Sequence, residues 1–299
     1  MSKCKSSSVL GSFLVLFAAC LWGCTGLFVG RITDTGITPM EIVVLRGLIT
    51  AAVLAPIMLA MDPTLFRVRL KDLWCVVGSG LCSMLFFNYC YYSNIQETSP
   101  AVAVVLLFTA PVFVTIFGRI LFKEKITWNK VLAVVLILVG CALVSGLVGE
   151  SIPITRRGLL LGLGSGFGYS LYTIFSRLAL DRKYSPVTVT FYTFLLSAVG
   201  GAFLVEVSHV TDTFATHGMT LWGPLIAYVL VGTVGAYVMY TAGLRHIDAS
   251  KAAVLKAAEP ISTTVLQIAV LGVWPDTLGM VGVGVLATAV VVMNGKKRK

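Results

Sequence analysis

Charge is what this sequence has least of: Asp, Glu, Lys and Arg together make up 12% of its 299 residues, about half the ~25% of an ordinary soluble domain. A chain so poor in charge and 57% hydrophobic, with a mean hydropathy of +0.92, is excluded from the soluble globular class and reads as a polytopic membrane protein. Histidine is scarce as well. His209, His217 and His246 are scattered through predicted loops, and no metal-ligand spacing or catalytic constellation is present. The glycine runs lie inside apolar spans, not at strand-to-helix turns where phosphate loops form. The pattern therefore points away from an enzyme and requires no cofactor. The seven cysteines, Cys4, Cys20, Cys24, Cys75, Cys82, Cys90 and Cys141, include no CxxC pair and lie in spans or at the cytosolic end. They read as small packing residues, not disulfides.

What is present is a series of apolar runs: Val9–Gly30, Pro39–Met61, Leu73–Ser93, Ser99–Leu121, Val131–Val148, Gly158–Leu180, Pro186–Val207, Leu221–Leu244, Ala249–Leu271 and Thr277–Met293. These predict an all-α integral membrane protein with ten transmembrane helices. The first run is too long, and too well followed by others, for a cleaved signal peptide. The net charge of +10 need not mean nucleic acid. With the N-terminus cytosolic, 17 basic residues fall in inside segments, from Lys3 and Lys5 to the tail Lys296–Lys299, against three outside, Arg31, Arg156 and Arg157. That bias places both termini in the cytosol.

The sequence also repeats itself. An offset of 149 residues aligns Tyr91–Val139 with Tyr240–Thr288 without a gap, matching Tyr91 with Tyr240, Leu106 with Leu255, Pro111 with Pro260 and Thr115 with Thr264. Two five-helix halves follow, residues 1–150 and 151–299. Because five is odd, the second half enters the membrane the other way round, giving two inverted repeats as in many secondary transporters.

The ninth span carries Lys256, Glu259 and Pro260 near its middle. Glu259 lies roughly 15 Å from the start of the span at helical rise, half of a ~30 Å hydrocarbon core. A charge at that depth costs about 2.5–3.5 kcal/mol on insertion scales and normally faces a partner or a watery cavity. Lys256 and Glu259 are spaced i, i+3 on one helix face. Pro260 cannot donate to the carbonyl of Lys256, so that oxygen is expected to be bare. Two readings stand at this point: a salt-bridged pair that shapes a kinked helix, or a substrate or proton site. The repeat favours the second, since Leu107 and Ala110 replace the two charges in the fourth span while Pro111 keeps the proline.

Further candidates surround this pair. Arg46 lies roughly 10 Å into the second span and either snorkels outward past Glu41 or grips a carboxylate or phosphate in a central cavity. Trp22, Tyr169 and Tyr172 are aromatic where the first and sixth spans should meet, and serve either as pocket or as core. Glycines 158, 162, 164, 166 and 168 of the sixth span predict close backbone approach. Asn88 and its repeat partner Tyr237 could hydrogen-bond a solute, whereas Tyr91 and Tyr92 read as interfacial belt. Trp74, Trp128, Trp222 and Trp274 read as interface anchors, and Arg119 as snorkelling beside Lys123.

SPAVAVVLLFTAPVFVTIFGRILFKEKITWNKVLAVVLILVGCALV and ASKAAVLKAAEPISTTVL, with the ten spans and the duplicated halves, resemble the EamA branch of the drug/metabolite transporter superfamily over nearly the whole chain. In that family each half resembles one EamA repeat. The resemblance covers the mid-helix prolines, the glutamate before the second of them (Glu259), an early arginine in the second helix (Arg46) and an acid closing the fourth helix (Glu124). The second-half equivalent of that acid is Val273, a departure from the pattern. The resemblance implies a multi-pass inner-membrane exporter of small metabolites such as amino acids, working by alternating access. A channel or a lipid flippase on the same repeats is the alternative. Expected partners are a small-molecule substrate bound by Arg46, Lys256 and Glu259, the lipid bilayer, and protons as a candidate coupling ion. Nucleic acid is not expected, and a homodimer is left open.

Overall fold

Polar side chains set where the spans begin. The Thr38 hydroxyl accepts from the Glu41 amide, and the Glu41 carboxylate accepts from the Thr38 amide at 2.8 Å. Ser99, Thr127, Thr155 and Asp276 each accept from the amide three residues on. Such caps satisfy amides that lipid cannot. Pro39, Pro100 and Pro186 occupy first turns, where a missing N–H is no loss.

The computed structural model describes residues 2–148 and 155–295, with side chains from Ser7 onward; it is helical throughout, with no strand among the described residues. Glu150–Pro153 and Lys296–Lys299 lie outside the described residues, as do the side chains of Lys3, Cys4 and Lys5. The apolar helices are α1 (Ser7–Thr33), α2 (Pro39–Met61), α3 (Leu70–Glu97), α4 (Pro100–Leu121), α5 (Trp128–Val144), α6 (Arg156–Asp181), α7 (Pro186–Leu204), α8 (Met219–Gly243), α9 (Ala249–Leu271) and α10 (Thr277–Asn294). Nine are long and apolar enough to cross a membrane, and α5 has 17 residues, still roughly 25 Å of helix. Ten crossings bring the two chain ends to one face, here called the terminal face.

One segment departs from expectation. Val207–His217 forms an additional helix between α7 and α8, so His209 and His217 stand on a helix, not in loops. Phe214 on this helix packs on Trp222, with ring centroids 4.7 Å apart, and joins the cluster around Ile32, Ile42 and Tyr228. The helix forms by packing one apolar side, a signal too weak for a search for continuous apolar runs.

The duplication is visible in the packing. Helix α2 packs on its repeat partner α7, and α5 on α10. The α3–α6 contact recurs as α1–α8, and α4–α6 recurs as α1–α9. Glycines on α6 permit two of these approaches: a Cβ at Gly166 would stand 2.8 Å from the Leu106 carbonyl on α4, and one at Gly168 3.0 Å from the Phe87 amide on α3.

Both proline helices are interrupted within one residue of matching points, α4 at Phe108–Thr109 and α9 at Lys256–Ala257. Wider π-helical turns also recur at near-equivalent positions, Gly78–Leu85 in α3 and Tyr228–Gly235 in α8.

Candidate functional site

The interruption of α9 decides where its two charges go. The chain tightens there instead of leaving a gap: the Glu259 amide donates to the Lys256 carbonyl at 2.9 Å. The oxygen expected to be bare is therefore satisfied, by a three-residue turn that Pro260 does not need to enter.

The six ion pairs of the described residues do not include Lys256. Its ammonium lies over the Tyr169 ring, 3.2 Å from the centroid, with Trp22 at 4.5 Å and Tyr240 at 5.1 Å. In place of the ion pair that one of the two readings required stands an aromatic cage, an arrangement worth about 2 kcal/mol or more when desolvated. Tyr169 stands between the two charges, its hydroxyl directed at Glu259 Oε2 from 3.5 Å.

A cavity of about 330 Å³ opens between the halves, and Glu259 is on its wall. Arg46, Asn88, Trp22, Tyr169 and Tyr237 line it as well, so six of the eight residues singled out in the sequence meet there. Lys256 does not: it sits behind Tyr169, against Pro111, Val114 and Ala253. Tyr172 does not reach the cavity either. Its hydroxyl is bonded to Thr241 at 2.7 Å, and its ring packs edge-on against Tyr237 in the core.

Arg46 is turned inward and does not snorkel. Its Nη1 donates to the Tyr228 hydroxyl at 2.7 Å and its Nη2 approaches Met84 Sδ at 3.5 Å, with the guanidinium carbon 5.2 Å from the Phe194 centroid. Neither hydrogen-bond partner is an acid. Glu41 is engaged elsewhere, with Thr38 and with His209 Nδ1 at 2.8 Å. Two buried donors on the cavity wall, Arg46 Nε and Trp22 Nε1, have no hydrogen-bond partner among the described residues. Asn88 donates to the Met84 carbonyl at 2.6 Å.

Sequence reasoning missed part of the wall. Tyr91 and Tyr92, assigned to an interfacial belt, line the cavity, and so do Phe87 and Tyr228. For Tyr228 the obstacle was geometric. Nine residues separate it from Tyr237, which in an α-helix is about half a rotation out of phase. The π-helical turn between them winds more slowly and brings both rings to one side. A larger hollow of about 660 Å³ lies beyond the helix ends among Arg67, Arg69, Arg182 and Lys183, remote from the buried charges.

A bundle of apolar helices in two repeated halves, enclosing a polar cavity at their junction, has the architecture of a membrane transporter. The EamA-like transporter family matches residues 9–146 and again 156–295; the chain belongs to this family. Among its relatives, the "Uncharacterized transporter YwfM" of Bacillus subtilis is 25% identical over 96% of this chain and 95% of that protein. The "Uncharacterized inner membrane transporter YicL" of Salmonella typhimurium is 25% identical over 90% and 91%. A solved structure described as "Crystal structure of protein" shares the fold with a TM-score of 0.77, at 18% identity over 96% of both chains.

Proposed function

We propose that this transporter is a secondary carrier that exports a small zwitterionic or anionic metabolite, such as an amino acid, by alternating access, with the solute held in the central cavity. The observation that carries the reading is the pair of unpartnered buried donors, Arg46 Nε and Trp22 Nε1, on one cavity wall with Glu259. Buried N–H groups without acceptors are costly, and a solute carboxylate would supply acceptors. Glu259 would then receive the ammonium of a zwitterion, or a proton in its place. The aromatic rings between these poles suit an apolar middle, and the volume is that of a small-ligand site.

Lys256 takes a supporting role in this reading, holding Tyr169 in place instead of touching solute. The halves divide at 150/151 and rock against each other. Loop charge supports an inner-membrane orientation with both termini, and hence the terminal face, in the cytosol.

The test is solute counterflow in proteoliposomes with a panel of labelled amino acids and organic acids. Saturable flux that accelerates when unlabelled solute is loaded on the far side supports a carrier. Non-saturable flux without such acceleration overturns it in favour of a channel.

A further inference from the structure

Under the 149-residue offset α4 and α9 exchange places, so every contact between the end of one and the start of the other has a twin on the opposite face. The turn after α4 and the turn after α9 share a backbone: Lys123 and its equivalent Gly272 both take the left-handed conformation, with φ 55° and 66°.

Their side chains differ completely. On the terminal face Glu124 Oε1 accepts from the Ala249 amide at 2.7 Å, and Oε2 accepts from the Ser250 amide at 3.3 Å and from the Ser250 hydroxyl. Lys130 Nζ lies 3.1 Å from the same oxygen and 3.5 Å from Asp248. Gly118 leaves room for the carboxylate, since a Cβ there would stand 3.0 Å from Oε2. The side chains of Glu124 and Lys130 are each only 8% exposed.

On the opposite face, Glu124 is replaced by Val273, Lys130 by Gly279, Ser250 by Ala101, and Ala249 by Pro100, which has no N–H. Among the described residues no side-chain hydrogen bond or ion pair joins Val273 to Pro100 or Ala101. A crevice of about 350 Å³ lies there instead, between Pro100, Ala101 and Gln267, and reaches down to Glu259. The ion pairs that join the halves on that face, among the described residues, are Arg157–Glu97, whose arginine is 74% exposed, and Glu41–His209, beside the apolar cluster of Ile32, Ile42, Leu221 and Leu225. Exposed pairs of the first kind hold weakly.

We infer that Glu124, with Lys130 and Ser250, is a one-sided latch that holds the terminal face of the transporter shut, and that the lack of its twin sets the resting protein open toward the other face. A carboxylate that accepts two helix-start amides, a hydroxyl and an ammonium in a dry site makes charge-assisted bonds. The bonds to Ala249 and Ser250, and the Lys130–Asp248 contact, must break together when α4 and α9 part, while Lys130 stays with Glu124. At the equivalent point on the other face, Pro100 and Ala101 offer no amide–hydroxyl pair to such a carboxylate. The inference rests on the alternating-access reading, but its test needs no solute.

In a background with the native cysteines replaced by serine, single cysteines are introduced at Val29, on the cavity wall, and at Ala253, one turn inside α9 from the latch. A membrane-impermeant maleimide is applied to each face in sealed vesicles. With the latch intact, Val29→Cys reacts from the opposite face and Ala253→Cys is protected. Glu124→Gln and Ser250→Ala are expected to raise labelling of Ala253→Cys from the terminal face about tenfold, the scale of one lost charge-assisted hydrogen bond, while labelling of Val29→Cys falls. Glu124→Asp should lie between. Only monodisperse protein is compared, and Ser250→Ala, which removes one oxygen, covers the case in which Glu124→Gln does not fold. Unchanged labelling overturns the latch, as does an equal rise at both positions, which is general loosening. A shift in labelling with no flux of any solute would instead sink the carrier reading and leave the latch standing.

Discussion

Lys256 shows how a buried cation is kept without a counter-ion. Three rings face its ammonium, and the closest, Tyr169, also directs its hydroxyl at Glu259. Removing that ring strands the charge. Tyr169→Leu is therefore expected to reduce the yield of monodisperse protein, by a loss on the order of 2 kcal/mol in stability. The double change Tyr169→Leu with Lys256→Leu should recover most of it, because it removes the amine that the ring would otherwise cover. Equal yields for the single and double variants would show that the cage does not stabilise the ion. Arg46 is a different case, since it touches the cavity directly. Arg46→Lys keeps the charge but loses the planar fork that reaches Tyr228 and Met84. Transport should fall about tenfold or more, the scale of one lost hydrogen bond to a charged group, with folded yield little changed. Wild-type flux in this variant would remove Arg46 from the site.

At the level of helices, interruptions and wide turns mark the site. The break at Lys256–Ala257 lies between Lys256, which sits behind Tyr169, and Glu259, which is on the cavity wall. Its twin at Phe108–Thr109 interrupts the α4 backbone without charges to place. Close packing of α2 on α7 holds Arg46 against Phe194: a Cβ on Gly47 would stand 2.5 Å from the Phe194 carbonyl and 2.7 Å from Ala198 Cβ. Gly47→Leu should force the two helices apart and cost more than the 1–3 kcal/mol of ordinary overpacking, roughly, because the obstacle is backbone. It should appear as a clear drop in Tm in detergent, and an unchanged Tm would show that the helices slide at no cost.

For the whole molecule, the loop charges predict an even number of crossings with both termini cytosolic. Reporter fusions at Lys299 and within Glu150–Pro153 test this directly. Activity of a cytosol-specific reporter is expected at the first site and of an export-specific reporter at the second. The reverse pattern would invert the orientation, and with it the side on which the latch acts.

Class, span number and duplication were all readable in the chain, because each rests on a signal local in sequence or repeated at fixed spacing. Twenty apolar residues have one solution in lipid, and a gapless 149-residue offset leaves little freedom in how the halves are built. The positions of Arg46 and Glu259 along their helices were readable for the same reason, since they depend only on rise per residue. Direction was not. Which way a side chain points depends on the rotation accumulated along its helix, and a wide turn such as Tyr228–Gly235 changes that rotation without a mark in composition. Hence Tyr228 and Tyr237, opposed on an ideal helix, share a wall. The Lys256–Glu259 pair, adjacent on an ideal helix, is parted by a tyrosine from α6, a contact between segments far apart in the chain. The sequence by itself determined the helices, their number and where along them the charges fall. Only packing between helices distant in the chain decided which of those charges meets the cavity and which meets an aromatic ring.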